Sequence, residues 1–333
     1  MKKFLCILLI TFLALSVIGC GAKQEAPKKE EPAKINYPTK PIEIIVPYAA
    51  GGGQDVTSRL TAKYMVKYLP EGAKVIVSNI NAGGGVAGAT AIALAKPDGY
   101  QIGALVPFQL TDQFIMKGIP YNENSFYPIA FCSSDGNFVV VRKDLGVKNM
   151  EEFIALAKQK PGEITMGMGG AWNVHDFLRL KLEQATGAQF QRMPFNGGAL
   201  ALAAVAGGNA DSASQSISEA LAAMEAGQVI ALAVTDPERT PLAPEIPTLK
   251  ESGIDLVHAQ WRAFTVPPET PQEIKDILNE VFKKVFNDPE WIAEAKKAGL
   301  NPIYIGGQEA VDFYNSDFTV YKNLINKLGI QPQ

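Results

Sequence analysis

The segment Ile44-Ile45-Val46-Pro47-Tyr48-Ala49-Ala50-Gly51-Gly52-Gly53-Gln54-Asp55 constrains this chain more than any other. An apolar, β-branched run enters three consecutive glycines, and Val56, Leu60 and Tyr64 then recur at four-residue spacing. That order predicts a buried strand, a tight turn and an amphipathic helix packed by those three side chains. Glycine lets the backbone approach a ligand closely. The first helical turn leaves N–H groups without intrahelical acceptors, aligned so that negative charge is favoured there. Strand, glycine turn and helix start therefore predict an anion cradle that needs neither metal nor lysine.

The N-terminus bounds the compartment. Lys2 and Lys3 precede an apolar run from Phe4 to Ile18, too short and wrongly flanked for a spanning helix. It ends in Val17-Ile18-Gly19-Cys20, which resembles a bacterial lipobox with residues 1–19 as signal peptide and Cys20 as the lipidated first residue. An ordinary secretory signal is the competing reading. The Lys, Glu, Ala and Pro composition of residues 21–36 favours the lipid anchor, because such a segment serves as a flexible tether and cannot build a core. With Cys6 in the signal and Cys20 on lipid, Cys132 is left as a lone thiol, expected in the core rather than in a disulfide or metal cluster. A formal charge of −3 with interspersed signs argues against nucleic acid.

Beyond the tether, strands and helices alternate: strands at 42–46, 74–77, 101–106, 138–141, 164–166, 229–234 and 256–265, with a helix at 86–95. Asn149–Glu152 and Thr270-Pro271-Gln272-Glu273 both have capping-box spacing. The second opens a helix with Ile274, Ile277, Leu278, Val281, Phe282 and Val285 on one face. This is an α/β pattern. A second glycine turn, Gly167-Met168-Gly169-Gly170-Ala171-Trp172-Asn173, follows a short strand and precedes a helix beginning near Val174 or His175. Ligands of open parallel sheets sit beyond the carboxyl ends of strands, so two such loops could clamp one small anion between two lobes.

Other motifs weigh less. Gly83-Gly84-Gly85-Val86-Ala87-Gly88 spells GxGxxG, but no carboxylate ends the next strand, so close helix–strand packing is the better reading. The two histidines, His175 and His258, lie far apart with no metal-ligand spacing, and no nucleophile elbow is present. The chain therefore reads as a binding protein, not an enzyme, with no cofactor and no metal. Asp55 is expected to stiffen its own loop. His175 either caps and packs at its helix start or meets the ligand. Trp172 either stacks on an apolar ligand body or fills the space between the lobes. Arg262 is either a solvated edge charge or a partner for a carboxylate.

Tyr37-Pro38-Thr39-Lys40-Pro41-Ile42 with Ile45-Val46-Pro47-Tyr48, Gly51-Gly52 and Asp55 resembles the opening of the tripartite tricarboxylate transporter substrate-binding proteins. The likeness continues through Pro97-Asp98-Gly99-Tyr100, Phe126-Tyr127-Pro128-Ile129-Ala130, Pro194-Phe195-Asn196-Gly197-Gly198, Pro244-Glu245-Ile246-Pro247-Thr248 and Trp261. It implies a two-lobed periplasmic-binding-protein-like (type II) α/β fold, a ligand cleft between the lobes and two crossover strands. Lobe one would comprise 37–140 plus 260–333, and lobe two 141–259. The resemblance further implies a monomer that grips a small carboxylate at the loops Tyr48–Asp55 and Met168–His175 and serves a permease of one large and one small subunit. Phe108, Gln109, Asn196, Gly197, Gln215 and Arg262 complete the candidate site. A sensory receptor serving a membrane signalling partner is the alternative. The chain departs from the family at Asn79-Ile80-Asn81-Ala82-Gly83, which lacks the usual proline and arginine, and in the bulk of Met168 and Trp172, which hints at a solute with an apolar body.

Overall fold

The structure is a computed structural model describing residues 35–48, 50–169, 172–195 and 197–332. Strand β1 (Ile42–Val46) feeds helix α1 (Gly53–Tyr68), followed by β2 (Val75–Asn79), α2 (Val86–Ala93), β3 (Gln101–Leu105) and α3 (Phe108–Ile115). A long strand, β4 (Tyr127–Arg142), precedes α4 (Met150–Gln159), β5 (Thr165–Met168), α5 (Val174–Thr186), β6 (Gln191–Pro194), α6 (Gly198–Ala206), β7 (Ser212–Ser216), α7 (Ile217–Glu225) and β8 (Val229–Val234). The chain ends with β9 (Ala259–Val266), α8 (Gln272–Phe286), α9 (Pro289–Lys297), β10 (Pro302–Gly306) and α10 (Gln308–Lys327).

The strands run in the order β2-β1-β3-β9-β4-β7-β5-β6, with β10 and β8 also on β4. β1 is parallel to β2 and β3, and β5 is parallel to β6 and β7, as βα units require. β4 serves both groups: residues 127–136 pair with β9, and 137–142 pair with β7 and β8. One strand thus threads two βα assemblies, each placing its glycine loop at the carboxyl end of a parallel strand.

Around β1 the core is aromatic. Phe264 of β9 stacks on Phe282 of α8 at 4.9 Å, and Phe286 stacks on Phe282 at 5.4 Å. Each fully buried side chain of this size contributes about 1.5–3 kcal/mol. α5 packs Phe177 and Leu180 on Tyr321, Leu324 and Ile325 of α10. Cys132 is buried as expected, and burial pushes its thiol up to about 12. Gly88 packs as the close-approach reading requires: a Cβ there would lie 2.5 Å from the Ile80 carbonyl.

Three expectations change. Val56 is exposed, and the buried face of α1 is largely polar, with Thr57, Ser58 and Thr61 inside beside Tyr64 and Met65. Ser58 and Thr57 manage this by bonding back to the Gln54 and Gly53 carbonyls at 2.8 and 2.7 Å. Thr270 does not cap α8; the cap is Pro271, whose carbonyl receives the Ile274 and Lys275 amides. The strand expected at 138–141 is the second half of β4, whose first half carries Pro128, two serines and Gly136.

Candidate functional site

The first loop joins β1 to α1. Gly51 holds φ at 84°, a conformation that favours glycine. Gly52 caps the helix with extended backbone and no side-chain hydrogen bond. Asp55, only 3% exposed, accepts the Gly51 amide at 2.8 Å, Asn79 Nδ2 at 2.9 Å and Arg59 Nε at 3.0 Å. Burial alone would raise its pKa, but hydrogen bonds from Arg59, the Gly51 amide and Asn79 together hold it below the usual carboxylate value. Asn79 also donates to the Tyr48 carbonyl at 3.0 Å, fastening both ends of the loop. The amides of Gly52, Gly53, Gln54 and Asp55 have no acceptor among the described residues. Asp55 therefore stiffens the loop from behind, as the sequence reading held.

The second loop repeats this construction with different residues. Trp172 takes the positive-φ position at 59°, and Asn173 caps α5. Asp176, four residues after Trp172 as Asp55 follows Gly51, accepts the Trp172 amide at 3.0 Å. It is fully buried and paired with Arg179 at 2.9 Å and Arg192 at 2.6 Å. The Arg192 guanidinium lies 4.3 Å from the Trp172 ring centroid, so this ring stacks on a cation of its own chain. The Asn173 side chain accepts the His175 and Asp176 amides at 3.1 and 3.2 Å. The first helix start is open; the second is closed on itself.

Both histidines converge on this second loop, which their sequence separation did not foretell. His175 Nδ1 lies 3.0 Å from Ser214 Oγ, and burial draws its pKa down to about 4, keeping the ring neutral. His258 Nε2 donates to the Val174 carbonyl at 2.7 Å. Met168 is fully buried, while Gly169 abuts the next loop: a Cβ there would fall 2.6 Å from the Gly198 nitrogen. Gly197, at φ 119°, caps α6. Gln215 Nε2 donates to the Gly198 carbonyl at 3.0 Å, which orients its Oε1 as a buried acceptor without a partner among the described residues.

Arg262 is not a solvated edge charge. Its side chain is 11% exposed, and a Cβ on Gly53 would sit 2.9 Å from its guanidinium. It pairs with Asp135 and donates to Ser133 Oγ at 3.2 Å; burial draws its pKa down to about 10. The register of β4 on β9 sets Ser133 opposite Arg262, so the cation at the first loop is neutralised across the shared strand. Gln109 is fully engaged, donating to Tyr48 Oη at 2.6 Å and accepting the Val106 amide at 3.1 Å. Its role is to hold the Tyr48 ring. Phe108 opens α3, half-buried, and Ala50 is exposed. Behind them Asp112 is buried against Tyr121, and burial pushes its carboxyl up to about 7.

Buried polar atoms need partners, and several here have none among the described residues: both amide atoms of Gln54, Asn137 Nδ2, Gln215 Oε1 and Arg262 Nε. Asn137, Asp176, Ser214, Ser133 and Asp135 were not among the sequence candidates. An aspartate four residues past each turn was the signal for Asp176; the others depend on strand register. Ala49, Gly170, Ala171, Asn196 and Cys20 lie outside the described residues.

The shared strand, the paired βα glycine loops and the polar groups around them define a two-lobed α/β solute receptor of the type II periplasmic-binding-protein class, and known proteins agree. Residues 57–330 match the model of the tripartite tricarboxylate transporter family receptor, TctC, and the chain belongs to that family. It is 31% identical over 273 residues to a UPF0065 protein of Agrobacterium vitis from the TAR-I ttuE-ttuC' intergenic region, covering 81% of this chain and 78% of the relative. A TctC solute binding protein from Polaromonas, solved without ligand, superposes with a TM-score of 0.75 at 33% identity, over 87% of this chain and 99% of that one. An R. palustris protein solved with adipate shares the fold at TM-score 0.76 and 24% identity, over 90% of this chain and 100% of that one.

Proposed function

We propose that this chain is an extracytoplasmic receptor that closes two lobes on a small carboxylate and delivers it to a membrane permease of one large and one small subunit. The observation that carries this reading is the first loop: a helix start whose four leading amides, Gly52 to Asp55, have no acceptor among the described residues. Two features suit that loop to a carboxylate. The negative charge of Asp55 is already neutralised by Arg59 on the far side. Arg262 stands beside Gly53 but is balanced by Asp135, so the empty site does not bury a lone cation. In a closed, dry cleft such neutral donors act more strongly than in water.

In this reading one carboxylate oxygen pair meets the first loop, and the second loop, with Gln215 and His175, meets the rest of the solute. Lobe one is 37–140 with 260–333 and lobe two 141–259, hinged where β4 passes between the sheets and β9 returns. Engagement of Trp172 with Arg192 and burial of Met168 weaken the case for a solute with an apolar body. Cys20 carries the lipid, with residues 20–36 as tether. Among the described residues no helix is long and apolar enough to cross a membrane.

A thermal-shift panel of mono-, di- and tricarboxylates on the full chain tests this reading. A true ligand at about a hundred times its Kd adds roughly 2.7 kcal/mol of stability, and a chelator leaves that gain unchanged. No response to any acid, or a response abolished by chelation, contradicts it.

A further inference from the structure

We propose that a crevice lined by Asp236 and Asn301, distinct from the glycine loops, binds a small organic cation: an ammonium or guanidinium group on a short hydrocarbon chain. The crevice has a volume of about 300 Å³. Ile217, Asp236 and Leu242 line one side, Leu300 and Asn301 the other, and Asp135 of β4 stands between them. No described residue of Tyr48–Asp55 or Met168–His175 is among its walls.

Charge inside this space is unbalanced. Asp236 is 7% exposed, and among the described residues no cation pairs with it. The main chain of Gly136 on β4 packs directly against it, at a position where a side chain would collide with the carboxylate. The cations nearby are engaged or outside. Arg239 binds Glu251 at 2.8 Å and the Pro244 carbonyl at 3.1 Å. Arg262 is taken by Asp135, and Lys296 is exposed. Burial pushes the Asp236 carboxyl up to about 7, which is the cost of leaving it without a counter-charge.

Size and lining choose between kinds of cation. A water takes about 30 Å³, so a bare metal ion would leave most of the crevice to solvent. A volume of this order is that of a small-molecule site. Ile217, Leu242 and Leu300 offer apolar surface for a hydrocarbon chain whose charged end meets Asp236. Such a ligand would touch both sides of the crevice at once.

The test uses n-butylammonium chloride as the probe on the full chain, with n-butanol and sodium chloride at matched concentration as controls, read by thermal shift and calorimetry. The expected result is a saturable rise in Tm with butylammonium alone, and affinity lowered at least about tenfold in Asp236→Asn. Leu242→Trp, at a half-exposed wall position, should lose the response while keeping the carboxylate, and it decides the matter if Asp236→Asn does not fold. No saturable response, an equal response to sodium chloride, or unchanged affinity in the variants would overturn the assignment.

Discussion

The first and second glycine loops share one construction and differ in what they leave open. Each has a positive-φ residue, a helix cap one residue on, and an aspartate at the third helical position that accepts the positive-φ residue's amide. In the first loop glycines fill the turn and cap, so the helix amides have no acceptor among the described residues. In the second, Asn173 consumes two of them and Trp172 holds a strained conformation against Arg192. A helix start that caps itself gains stability; one that does not keeps its donors for an anion. In the proposed reading the two halves of the cleft are built alike and equipped unequally, with the stronger anion site in the first.

The sharpest way to break the contrast is to copy one loop into the other. Gly52 has φ −74°, which any residue tolerates, so Gly52→Asn should give α1 the cap that α5 has. Folding stability should rise by a few tenths of a kcal/mol. Acid binding should collapse, since two charge-assisted hydrogen bonds worth about 1.5–3 kcal/mol each would be lost, as calorimetry would show. The two aspartates come next. Asp176→Ala leaves the buried Arg179 with Glu183 alone and takes the carboxylate from Arg192, and it should cost about 3–5 kcal/mol in urea unfolding. Asp55→Ala leaves Arg59 half in solvent and should cost about 1–3 kcal/mol. Equal costs would mean that the loops are not differently supported.

Smaller effects follow from the surroundings. Native Asp112 keeps its proton up to about pH 7, whereas the unfolded chain releases it near 3.8. The folded state therefore binds more protons in that window, and stability falls as pH rises through it. Asp112→Asn should flatten this fall, as urea midpoints at pH 5 and pH 8 would reveal. The smallest effect belongs to Trp172→Gly. Release of backbone strain and loss of the Arg192 stack oppose each other, so stability should stay within about 1 kcal/mol of the parent.

Much of this was legible in the chain. β1, β3 and α8 announce themselves because their apolar residues are continuous or helically spaced, and the first loop follows from its glycines. β7 was hidden, because Ser-Ala-Ser-Gln-Ser reads as a loop although Ser212 to Gln215 are buried. Their polar atoms are satisfied only in part among the described residues: Ser212 Oγ bonds the Thr165 carbonyl at 2.8 Å, while Gln215 Oε1 has no partner there. The pairing of Arg262 with Asp135 depends on the register of β4 and β9, which no local pattern specifies. Asn173 was visible as a site residue, but its capping of the second helix was not, because the same residue type serves equally well as a ligand contact. The two glycine turns themselves suggested the pairing of the loops, and family likeness narrowed the expected anion to a carboxylate; neither could supply their inequality.

A crystal structure of the full chain with the acid selected by the thermal-shift panel puts the central idea to the most direct test. The account predicts carboxylate oxygens at about 2.7–3.2 Å from the Gly52–Asp55 amides, with no ion between them and Arg262 still on Asp135. An acid seated away from that helix start, or held through a metal while those amides face water, would contradict it.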